Sequence, residues 1–167
     1  MERKVKISIF SSISAIAIVF ALWGASWASI SVSVVGVWSE SVDETDLAGG
    51  PGSDLVGTYE SSADQVSADI SGTTGDLDTW RVDVKESDNT WHGNLHLYLK
   101  RTSDGTGSGS ISGGGSYMEV SDTYVEFFGG GGDRTGIHLQ LKIMGVSVGV
   151  PAEAYSTTVS YTVVDTN

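Results

Sequence analysis

The side chains best suited to chemistry in this 167-residue chain are carboxylates: 21 Asp and Glu stand against 9 Lys and Arg, for a formal charge of −12. Two clusters stand out, Asp43, Glu44 and Asp46 in one stretch and Asp76 and Asp78 in another. Hard cations take oxygen ligands from flexible acidic loops, which makes these five residues candidates for a structural calcium site. Neither cluster has the helix-loop-helix calcium pattern, and acidic runs more commonly form a solvated surface. A glycosidase pair needs two carboxylates held across a cleft, and no sequence feature marks one.

Other reactive groups point to still less. The histidines are His92, His96 and His138. His92 and His96 are four apart but lie in strand-like sequence, so they lack the helical spacing for a shared metal, and His96 reads as an exposed polar position beside Tyr98. With no Cys in the chain there is no thiolate zinc site, cysteine nucleophile or disulfide framework. The glycine-rich run at 105–115 has neither a Gly-Lys-Ser/Thr phosphate loop nor a Gly-x-Ser-x-Gly nucleophile elbow. The chain reads as a non-enzyme with no cofactor beyond that calcium. Trp38, Trp91 and Tyr98 could form a flat sugar-stacking platform, the alternative being burial in a β core. The acidic balance excludes nucleic acid as a partner, since phosphate binding needs clustered Lys and Arg.

What must position such residues begins after a leader. Arg3, Lys4 and Lys6 precede an apolar stretch at 7–23, and Ala25-Ser26-Trp27-Ala28 ends in small residues. This reads as a secretory signal helix over 1–28, or a membrane anchor if it is not cleaved. Its removal takes three basic residues and one acidic residue (Glu2), leaving 6 basic and 20 acidic and a charge of −14. Such a surface suits a secreted, cell-surface protein whose contact with membrane is limited to export.

The rest alternates with period two, the signature of half-buried strands. Val66, Ala68 and Ile70, then Trp80, Val82 and Val84, then Leu95, Leu97 and Leu99 each alternate with polar residues. Ile137, Leu139, Leu141 and Ile143 do likewise until Gly145 shifts the phase, and Tyr155, Val159, Tyr161 and Val163 close the series. Strands are expected at 30–38, 66–71, 80–86, 95–101, 117–128, 137–148 and 155–164, about seven in all, with a hairpin loop at 87–94. Long glycine-rich loops are expected at 46–57, 103–116 and 129–136. The fold class is an all-β, Ig-like or jelly-roll-like antiparallel sandwich over 58–167, preceded by a flexible acidic segment at 39–57.

Residues 29–38 form a tethered apolar strand with Ile30, Val32, Val34, Gly36 and Trp38 on one face and serines opposite. Such a strand can pair in its own sandwich or enter a neighbour's groove. Head-to-tail insertion does not close on itself and makes a filament.

This strand resembles the donor strand of fimbrial subunits, and the run from Pro151 through Tyr155 and Tyr161 to Val163 resembles the last strand of spore-coat-U and fimbrial-type domains. A leader followed by one acidic sandwich is also similar to TasA-type biofilm fibre subunits and archaeal bundling pili. The resemblance covers the two ends of the chain. It implies a homopolymer built by donor-strand complementation through residues 29–38, whose partner is another copy of itself. Two other functions are consistent with the same residues: a secreted monomeric sandwich that binds glycans or adheres, and a membrane-anchored surface-layer component. No Asn-x-Ser/Thr acceptor is present, while O-linked sugars have many Ser and Thr to use.

Overall fold

Branched and aromatic residues alternating with Ser, Thr and Asp become strands nearly everywhere they occur, because the pleat sends successive side chains to opposite faces. The computed structural model describes residues 5–13, 29–88 and 90–167. Within them lie eleven strands: β1 (Val5–Ile13), β2 (Ser31–Val42), β3 (Thr58–Glu60), β4 (Val66–Ser71), β5 (Thr79–Asp88), β6 (His96–Arg101), β7 (Ile111–Gly113), β8 (Met118–Glu119), β9 (Val125–Gly131), β10 (Arg134–Met144) and β11 (Ala154–Asp165). Helical structure among the described residues is limited to a single 3-10 turn, Glu44–Asp46.

One sheet runs β7-β9-β5-β11 and the other β2-β4-β10-β6-β8, with β3 on the end of β10. β1 lies between them, antiparallel to β2 and parallel to β11. That is the one parallel pair among the described strands; the rest are antiparallel. The expected all-β chain of two antiparallel sheets is therefore present, arranged as a β-sandwich around a single core.

Both sheets feed that core. β4 contributes Val66, Ala68 and Ile70, β5 contributes Trp80, Val82 and Val84, and β10 contributes Ile137, Leu139, Leu141 and Ile143, all essentially inaccessible to solvent. Burial of each such aliphatic side chain is worth about 1.5–3 kcal/mol. β2 follows the expected face, with Val32, Val34 and Trp38 inside, whereas Val35 and Val37 on the opposite face are 69% and 53% exposed.

Several expected boundaries shift for identifiable reasons. The single strand expected at 117–128 is two, β8 on β6 and β9 on β5, in different sheets. The expected hairpin at 87–94 instead joins β5 of one sheet to β6 of the other. Its turn residues mark a reversal of the chain without fixing which strands pair. β2 extends to Val42, into the segment expected to be flexible, and the bridge between Leu47 and Leu55 closes the loop beyond it. The glycines at 129–136 were expected to be a loop, yet Gly129, Gly130 and Gly131 belong to β9. There the Trp80 ring takes the space a side chain would fill: a Cβ on Gly130 would lie 2.9 Å from that ring and 2.6 Å from the Ser110 carbonyl oxygen. β10 stops at Met144, and Gly145 turns away with φ +87° as its N–H donates to Gly57 O.

Of the leader helix expected over 1–28, residues 1–4 and 14–28 lie outside the described residues. At Val5–Ile13 the backbone is extended rather than helical. The Val5, Ile7, Ile9 alternation with Lys6 and Ser8 suits a strand as well as an export signal.

Candidate functional site: the seam between β2 and β11

β2 changes partner partway along. Residues 31–36 pair with β4, from Ser31↔Ser71 to Gly36↔Val66. Residues 37–42 pair with β1, from Val37↔Phe10 to Val42↔Val5. The change falls at Gly36, where a Cβ would stand 2.6 Å from Gln65 O and 2.8 Å from Val66 Cα. Only glycine lets the two backbones approach that closely. Just past it the Gln65 side-chain amide donates to Val37 O at 2.5 Å, replacing the ladder bond that β4 no longer supplies.

Opposite this stretch, β11 is held by β5 along one edge from Thr157↔Asp88 to Asp165↔Trp80. Its other edge, from Ala154 to Tyr161, faces β1 in eight registered pairs. A recess at the seam is lined by Gly36, Val37, Trp38, Leu141, Val159 and Tyr161. The edges that flank it are taken by β1, which pairs with β2 on one side and with β11 on the other. Ile30, Val32, Val34, Gly36 and Trp38 all lie on or just before β2, with Val32 and Val34 covering β4 inside the same chain.

The carboxylates expected as calcium candidates serve the loops. Asp43 Oδ1 accepts from the Thr45 N–H at 2.9 Å and its hydroxyl at 2.7 Å, and Asp46 Oδ2 accepts from the Asp43 N–H at 2.9 Å. This reciprocal capping box fixes the 3-10 turn. Glu44 is exposed. Asp78 is buried and accepts from the Thr74 N–H at 2.6 Å and from the Asn167 amide, while Asp76 accepts from the Ser108 hydroxyl. Among the described residues no three His, Cys, Asp or Glu side chains converge as a metal cage would require.

The aromatics separate as well. Trp38 is a core residue at 7% exposure. Trp91 is half-buried and donates its indole N–H to Leu95 O at 2.8 Å. Only Tyr98 belongs to a surface cluster, one that sequence reading missed. Lys142 Nζ lies 3.9 Å from the Tyr117 ring centre and 5.0 Å from that of Tyr98. Tyr98 and His96 both contact Glu119, the latter at 2.6 Å. Tyr117 is pushed up to about 12, first by burial and then by the nearby Glu60 carboxylate; Tyr59 is pushed up to about 12, first by burial and then by Asp46. The outward positions of β6 and β10 (Tyr98, Lys100, Lys142) were the available signal.

Compared with known proteins, the chain matches no family model and no curated protein.

Proposed function

We propose that this chain is an exported structural subunit of an extracellular filament, an Ig-like sandwich that polymerises head-to-tail by donor-strand complementation, with residues 29–38 as the donor. One observation carries the reading. From residue 29 onward the two sheets have no strand between β2 and β11, and the slot is filled by a segment from outside the sandwich body. A strand-wide slot with backbone on both walls is a template for β-strand addition. Donation gives up the six antiparallel pairs that residues 31–36 make with β4, and the seam of a neighbour offers in exchange a ladder on each side, antiparallel to β2 and parallel to β11, as β1 has in the single chain.

Electron microscopy and light scattering on the exported protein test this. Filaments are expected, along with their loss on deletion of residues 29–36; a protein that stays monomeric at high concentration rules the proposal out. A second reading, a monomeric glycan-binding sandwich, draws on the Tyr98, Tyr117 and Lys142 face. It requires a glycan-array signal that disappears in Tyr98→Ala.

A further inference from the structure

We infer that Val5–Ile13 is a placeholder. In the full-length chain it closes the seam, and its removal with residues 1–28 frees the seam for a strand from a second copy. The inference rests on the filament reading above and adds to it what keeps subunits apart before export.

β1 lies upstream of the small-residue cleavage site ending at Ala28, and it sits between β2 and β11, pairing with both. Its loss strips partners from β11 between Ala154 and Tyr161 and from β2 between Val37 and Val42. Both edges then present unpaired N–H and C=O groups over the same apolar floor, and unpaired edges recruit strands. The seam also holds its occupant in an orientation that suits a visitor. Parallel pairing requires a long crossover when both strands belong to one chain, whereas a strand from another molecule needs none.

A segment of the right kind becomes available at the same cleavage. Ile7-Ser8-Ile9 in β1 has its counterpart in Ile30-Ser31-Val32-Ser33-Val34 directly after the leader. Eight residues of β1 register with β11, and residues 29–36 number eight. Val37, exposed on the outer face of β2 beside the slot, gives an arriving copy apolar surface to cover.

The test compares the full-length chain, made without export, with the processed chain recovered from the medium. The full-length chain should stay monomeric at concentrations at least tenfold above those at which the processed chain polymerises. A synthetic peptide of residues 5–13 should bind the processed chain one to one and halt growth, while its scrambled version should not. Because the chain has no cysteine, the Ser8→Cys, Ser156→Cys double variant of the full-length chain reads seam occupancy separately, through one intrachain disulfide at registered positions. Equal polymerisation of the two forms, or no such disulfide, overturns the proposal. Filaments that ignore the 5–13 peptide overturn the placeholder and spare the filament; peptide binding without filaments does the reverse.

Discussion

Asp54 and Asp133 show what the acidic surface does one residue at a time. Asp54 Oδ1 accepts from the Val148 N–H and the Leu55 N–H, both at 2.8 Å, and Asp133 accepts from the Thr73 hydroxyl at 2.7 Å and its N–H at 2.9 Å. These bonds favour the ionised form and hold both groups below the ordinary value of 3.8; the leading cause is the Val148 N–H for Asp54 and the Thr73 hydroxyl for Asp133. A carboxyl with a depressed folded value stabilises the fold above its unfolded value, and that contribution is lost as pH falls below about 3.8 through the lower folded value. The Tm of the native chain should therefore fall below pH about 4 more steeply than that of Asp133→Asn, measured by thermal melts across an acid series. The calcium candidates lead to a second expectation. Since Asp43, Asp46, Asp76 and Asp78 are already engaged by loop donors, chelation should leave the Tm unchanged, and a drop on adding chelator would show that they ligate a cation. None of these roles was legible in the sequence. Val148 is 94 residues from Asp54, and Asn167 is 89 from Asp78. Composition shows that carboxylates are plentiful; only the folded chain shows which amide each one meets.

At the scale of the element, alternation carried most of the information. It picked out the inward sets of β4, β5, β10 and β11 because one face of each strand meets the core and the other meets water. Leu139→Ala, at a position with no solvent exposure, should cost about 2–5 kcal/mol in chemical denaturation by leaving a cavity. Alternation was silent on the short strands β3, β7 and β8, too brief to establish a period, and on which turns cross between sheets. Glycine was misleading in β9. It suggested a loop at 129–136, whereas the reason for it is a neighbouring ring: Trp80 lies over the bare strand, packs edge-on against Phe128 at 6.1 Å, and donates its indole N–H to Gly132 O at 2.9 Å. Gly130→Ala should accordingly destabilise by about 1–3 kcal/mol through overpacking, and intrinsic tryptophan fluorescence should report the displaced ring.

For the whole molecule, the question is how two sheets become one body. Their faces share a core, and their ladders are joined where β1 lies between β11 and β2. A chain beginning at residue 29 should melt at a lower temperature than the full-length chain, and adding the 5–13 peptide should restore much of the difference, as expected when a ligand binds the folded state. Equal melting of the two chains would show that β1 contributes nothing to the body. The charges and small residues of the first 28 residues led to the expectation of an export signal. Its strand pairing was not, because nothing in residues 5–13 indicates that the matching edges lie at 37–42 and 154–161.

The long register along β11 also has a mechanical consequence. A strand lying beside β11 over eight residues and pulled along its own axis loads those hydrogen bonds together, in shear, instead of peeling them away one by one. A joint of that geometry resists tension with many bonds at once, so the filament proposed above would bear load at its junctions without a covalent crosslink.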